Sequence, residues 1–146
     1  TIFSIDGDVP VQELREKDVR ESVAFVAAIP EVRKFVVESL RSLAAFGSLV
    51  MEGRDIGTVV FPDSPYKFYL DADPKERAMR RYRELIAAGE DEKADEVMKS
   101  LQQRDKIDST RKTDPLVVAS GAQVIDSTSM TLEEVVRTVV NAVKEK

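Results

Sequence analysis

Residues 51–63 read MEGRDIGTVVFPD, and Arg54 and Asp55 stand side by side between two apolar runs. Read by pattern, most of the stretch is a buried strand followed by a turn. Burying a cation and an anion is costly unless they are well paired. Two readings stay open. One is a buried or half-buried structural ion pair. The other places both groups at a ligand, because in open α/β sheets ligands bind outside the carboxyl ends of strands. SLVMEG (48–53) would be that strand, with Arg54 and Asp55 at its end. Arginine offers a planar fork suited to phosphate oxygens, and aspartate accepts from an amino group or a ribose hydroxyl.

Working outward, TIFSIDGDV (1–9) alternates and turns at Gly7, which predicts a short strand or hairpin arm. Leu14, Val19, Val23 and Val26 follow at near-helical spacing, predicting a short helix before Pro30. Pro30 opens a second helix with Val32, Phe35, Val36, Leu40, Leu43 and Phe46 on one face and Gly47 as its cap. The aromatic-rich run 66–70 predicts a buried strand. Asp73-Pro74-Lys75-Glu76 reads as a helix start, with Asp73 at the N-cap, Pro74 at N1 and Glu76 completing a capping box. That helix should reach about Ala88, before Gly89. A second polar helix should begin near Asp91 and end before Pro115. AQVIDSTSM predicts a strand leading into a last helix. Thr131 and Glu134 form its capping box, Met130 can staple onto Val135, and Leu132, Val135, Val136, Val139, Val140 and Val143 give it a buried face. Strands alternating with helices imply an α/β fold: a parallel sheet with helices on both faces.

Composition excludes several chemistries. The 146 residues contain neither cysteine nor histidine. Disulfides, thiolate metal sites and serine–histidine or cysteine–histidine catalysis are therefore impossible on this chain alone. The net charge of −5 argues against broad nucleic-acid or membrane-surface binding. No apolar stretch approaches membrane-spanning length and no signal-peptide pattern opens the chain, which fits a cytoplasmic, reducing compartment.

Two segments depart from the acidic average. PKERAMRRYR (74–83) carries Lys75, Arg77, Arg80, Arg81 and Arg83, and RDKIDSTRK spans 104–112. On a helix Val97, Leu101, Arg104, Asp108 and Arg111 share one face that begins apolar and turns ionic. Such a face could open onto a ligand crevice. It could equally be a solvated ladder of ion pairs, each contributing only ~0.2–0.5 kcal/mol.

GRDIGTVVFPD at 53–63, followed by a KFYLDAD strand and an ERAMRR helix, resembles the bacterial cytidylate kinases. RDKIDSTR at 104–111 matches that family's R-D-x-x-D-x-x-R lid signature. VAAIPEVR at 26–33 resembles its monophosphate-binding region, and VIDSTSMTLEEVV its last strand and helix. The resemblance covers essentially the whole chain in the family's order. It implies a P-loop kinase-type fold that transfers the γ-phosphoryl group of ATP to CMP or dCMP, with Mg²⁺ bridging ATP phosphates. Residues 1–40 would form most of the monophosphate-binding region. Residues 41–73 and 113–146 would be the core α/β domain, and 74–112 a mobile lid.

By the same resemblance Arg54 and Arg111 would be catalytic, holding the α-phosphate of CMP and stabilising charge as the phosphoryl group moves. Arg33 and Asp55 would read cytosine. Arg104 and Asp108 would address ribose and phosphates. The lid arginines Arg77 and Arg81 would meet ATP, and no residue would be a metal ligand. Two departures accompany the likeness. Where the family usually carries a serine, nine residues before the Arg33 position, this chain has Ala24, with Ser22 nearby. No G-x-x-x-x-G-K-[ST] run and no early phosphate-gripping arginine occur in the 146 residues. The expectation is therefore an incomplete fold, a monomer when intact. The alternative for the chain as it stands is a catalytically inactive fragment or a nucleotide-binding or interaction module, prone to self-association.

Overall fold

The computed structural model describes residues 7–9 and 13–145; of the arm expected over 1–9, residues 1–6 lie outside them. Helix α1 spans Lys17–Val26, after a single 3₁₀ turn at Glu13–Arg15, and α2 spans Pro30–Ser42. Proline at the first helical position starts α2, because its missing N–H has no partner there in any helix. A 3₁₀ turn at Leu43–Phe46 tightens the end of α2, and Gly47 at φ +114° lets the chain leave.

The segment that opened the sequence reading is not a strand. Residues 48–52 adopt no regular structure, and Ile56–Val60 forms one π-helical turn. Its wide rings close through Val60 N–H to Asp55 C=O (3.2 Å) and Phe61 N–H to Ile56 C=O (2.7 Å). The β-branched Thr58, Val59 and Val60 favour extended backbone. Tertiary bonds override that preference: Arg41 of α2 donates to the carbonyls of Val60 (3.0 Å) and Val59 (2.7 Å). A Cβ on Gly57 would stand 3.2 Å from the Ala119 Cβ, so glycine lets the turn press against that later segment.

Strand β1 (Phe68–Asp71) pairs in parallel with β2 (Gln123–Asp126), in the register Phe68 to Gln123 through Asp71 to Asp126. Two flanking bonds extend the ladder: Gln123 N–H to Lys67 C=O and Ser127 N–H to Asp71 C=O. The parallel pairing follows the expectation. Among the described residues the sheet has two strands, and β1 is half-buried rather than buried, with Leu70 exposed.

Between the strands run α3 (Pro74–Ala87) and α4 (Ala94–Thr110), packed on each other, with α1 against α4. Asp73 caps α3 as expected, accepting from the N–H groups of Lys75 and Glu76. The reciprocal half of the box is absent. The Asp73 N–H goes to Thr128 Oγ1 (2.8 Å), while Glu76 pairs with Arg80 (3.2 Å). Gly89 at φ +84° follows α3. α4 begins three residues later than expected, after a polar turn held by ion pairs to α1. α5 (Leu132–Lys144) opens with the complete Thr131–Glu134 capping box.

The expected apolar faces are the main correction. Phe35, Val36 and Phe46 on the α2 side are exposed, as are Leu132, Val136, Val140 and Val143 on α5. α2 instead buries Arg33 and Val37, and α5 buries nothing fully. Amphipathic spacing specifies a face, but burial needs another element against it. Among the described residues these two faces are covered only in part, with Val32, Leu40, Val135 and Val139 half-buried.

Candidate functional site

Asp108 is the pivot. It sits on the last turns of α4 at 3% exposure, the least accessible charged residue described. Three arginines surround its carboxylate. Arg54 Nε donates to Oδ2 at 3.0 Å, Arg111 Nη1 donates to Oδ1 at 3.3 Å, and Arg104 Nε lies 3.8 Å from Oδ2. The solvated-ladder reading of this face is thus overturned for Asp108. Arg111 itself is not helical: it is the C-cap of α4, in extended backbone, and its side chain is 4% exposed. Its Nε donates to the backbone carbonyl of Asp114 (2.7 Å).

The cluster is electrically unbalanced, with three guanidinium groups facing one carboxylate. Burial, then the neighbouring Arg54, push the Arg104 pKa below its ordinary value. Burial, then Arg33, do the same to Arg111. Two donors in the cluster, Arg104 Nε and Arg111 Nη2, are buried and make no hydrogen bond among the described residues. Buried donors without acceptors are costly, and charged ones more so.

A second group lies beside it. Arg33, buried on α2, donates from Nη2 to Asp55 Oδ2, from Nε to Asp114 Oδ2 (2.8 Å) and from Nη1 to the Ala27 carbonyl (3.3 Å). Asp55 is buried as well, at the N-terminal end of the π turn. Arg54 and Asp55 therefore do not pair with each other. Adjacent residues project in different directions, so Asp55 goes to Arg33 and Arg54 to Asp108. Both become parts of larger networks. A cavity of about 250 Å³ adjoins this group, lined among others by Arg33, Lys34, Arg41, Val59, Thr113 and Asp114.

The structure thus brings Arg33 and Asp55 together, and Arg54, Arg104, Asp108 and Arg111 together. Arg77 and Arg81 pair outside both groups, although Arg81 is near enough to Arg104 to help push its pKa down. Arg77 pairs with Asp105 (2.6 Å) and donates to the Ala72 carbonyl (3.2 Å), and Arg81 pairs with Glu84 of its own helix (3.0 Å). Ala24, at the position where serine was expected, is buried on α1, and Ser22 is exposed. Sequence reasoning missed Asp114, which touches both groups. The only signal available was an Asp-Pro pair just after the lid signature. Among the described residues no three carboxylates converge as metal ligands.

An ionic cluster with surplus arginine and buried donors, beside a second group that borders a cavity, has chemistry suited to a phosphorylated ligand. The sequence model of the cytidylate kinase family matches residues 2–145. Curated cytidylate kinases match over nearly all of this chain. That of Caldanaerobacter subterraneus subsp. tengcongensis is 45% identical over 141 residues, covering 97% of this chain and 63% of the relative. That of Clostridioides difficile is 45% identical over 139 residues, covering 95% of this chain and 64% of the relative. That of Mycobacterium leprae is 40% identical over 145 residues, covering 99% and 65%. The chain belongs to the cytidylate kinase family, and it spans somewhat less than two thirds of the length of these relatives.

Proposed function

We propose that this chain supplies the monophosphate-binding and lid residues of an enzyme that transfers the γ-phosphoryl group of ATP to CMP or dCMP. The observation that carries the reading is the arginine excess around buried Asp108. A phosphate dianion supplies acceptors for Arg104 Nε and Arg111 Nη2 and offsets the repulsion among the guanidinium groups. Arg54 and Arg111 hold the CMP phosphate and spread the charge that develops during transfer. Phosphoryl transfer depends on positioning and charge stabilisation more than on proton transfer, so a chain without histidine suffices. Arg104 and Asp108 address the ribose and phosphates.

Arg33 and Asp55 read the base. Arginine has five N–H groups. Three of those on Arg33 are engaged by Asp114, Ala27 and Asp55, which leaves N–H capacity on both Nη atoms for cytosine acceptors. Asp55 accepts from the 4-amino group. Each such contact discriminates between bases by ~1–3 kcal/mol.

Residues 74–112 act as the lid, with Arg81 and Arg77 turning to ATP. Arg77 has to release Asp105 to do so. In this reading Mg²⁺ arrives with the ATP phosphates, as magnesium is usually held by few carboxylates plus substrate phosphates. No described helix is long and apolar enough to cross a membrane. Within the same proposal the 146 residues do not turn over by themselves, because they contain no P-loop motif. Coupled ATP consumption by the full gene product with CMP, dCMP, UMP and AMP tests the reading, with the 146 residues assayed in parallel. CMP and dCMP should be the preferred acceptors. A strong preference for AMP or UMP overturns the assignment of Arg33 and Asp55.

A further inference from the structure

Asp114 lies outside α4 and outside the signature, yet it makes one bond to each half of the site. Its carboxylate accepts from Arg33 Nε at 2.8 Å, and its backbone carbonyl accepts from Arg111 Nε at 2.7 Å. Its backbone is the only non-glycine one at positive φ among the described residues, at +50°. Aspartate tolerates this region better than most side chains, but the conformation still has a cost. Such strain persists only where surrounding contacts over-determine it. Here those contacts are two buried arginine side chains from two different helices, Arg33 on α2 and Arg111 at the end of α4.

We infer that Asp114 is a positioning residue that fixes the base-reading Arg33 relative to the phosphate-holding Arg111. It thereby sets the distance between the two ends of a pyrimidine nucleoside monophosphate that the site accepts. This rests on the CMP reading above. The two bonds separate by chemistry. The side chain orients Arg33 and hence the base contact. The backbone orients Arg111 and survives any substitution that keeps the turn. Removing the side chain therefore touches base recognition and leaves phosphate transfer largely intact.

The test uses the full gene product and two variants. Asp114→Gly deletes the carboxylate while accommodating φ +50°. Asp114→Asn removes the charge at nearly constant shape. Asp114→Gly should raise KM for CMP about tenfold, the scale of a lost charged hydrogen bond, with kcat changed much less and KM for ATP unchanged. That split marks lost uniform binding, felt equally by substrate and transition state, rather than an interaction made only in the transition state. Preference for CMP over UMP should fall in parallel. In an Arg33→Ala background Asp114→Gly should have no further effect on KM, since the two act as one unit.

A folded variant with a lowered melting temperature and reduced kcat but unchanged KM for CMP would mark a merely structural role and overturn the inference. If Asp114→Gly does not fold, Asp114→Asn takes its place, with a smaller rise in KM expected. KM for CMP within error of wild type in whichever variant folds overturns the inference alone. A wild-type enzyme without preference for CMP overturns the underlying reading, and the inference with it.

Discussion

At the scale of single residues, Asp108 shows how a buried charge is tolerated. One carboxylate at 3% exposure is met by three arginines, two of which, Arg54 and Arg104, remain partly in solvent. Removing one partner from such a group leaves the others buried without compensation. Asp108→Asn is expected to lower stability by about 3 kcal/mol, the low end for a broken buried pair because two of the three cations can still reach water. Urea unfolding of the variant beside wild type measures it. A change under about 1 kcal/mol would place Asp108 among ordinary surface pairs. This residue also shows what pattern reading can and cannot do. The four- and three-residue steps from Arg104 to Asp108 to Arg111 placed the right three side chains together. Periodicity carries no information on burial, so a weak solvated ladder and a buried hub looked alike.

At the scale of elements, α1 is tied to the α3–α4 turn by charge. Arg20 grips Glu90 with two bonds of 2.7 Å, and Arg20 and Lys17 both reach Glu92, at 3.5 and 3.3 Å. This contact joins the expected monophosphate-binding region to the tip of the expected lid. The hydrogen bond from Arg20, with lesser help from nearby cations, lowers the pKa of Glu90. A carboxylate with a lowered folded-state pKa favours the docked state above the ordinary glutamate range. It loses that contribution as pH falls through the lowered value. The Glu90 carboxyl resonance should therefore titrate below an ordinary glutamate and return to the ordinary range in Arg20→Ala. Salt should weaken the docking, because the pairs are partly exposed.

The start of α5 is a purely local device. Thr131→Ala removes the acceptor for the Glu134 N–H and should lower stability by about 1 kcal/mol, read from thermal or urea melts. Caps of this kind were legible in the sequence because they involve residues three apart. The π turn at 56–60 was not, because Arg41, some eighteen residues earlier, holds its carbonyls.

At the scale of the molecule, the described residues leave many large apolar side chains exposed. Phe46 is 88% exposed and Leu132 75%, and Val50 has no cover at all. Contiguous apolar patches on a folded surface mark contacts or association. The 146-residue chain by itself should self-associate in the micromolar range, where such surfaces drive aggregation. Sedimentation velocity over a concentration series reads this directly. A concentration-independent monomer would show that these faces are satisfied within the chain. The apolar faces of α2 and α5 were correctly spaced in the sequence, yet spacing cannot say what packs on a face.

The sequence by itself determined the helices, the Asp73 and Thr131 caps, the parallel pairing of two strands and the family. These rest on local periodicity, on hydrogen bonds spanning a few residues, and on a motif long enough to be specific. Only the tertiary structure decided that Arg54 and Asp55 part company, that Asp108 is buried, and that Asp114 joins the two halves of the site. Each of these depends on which distant side chain arrives to meet a charge. A buried charge is stabilised by its partners in space, and neighbours along the chain do not disclose them.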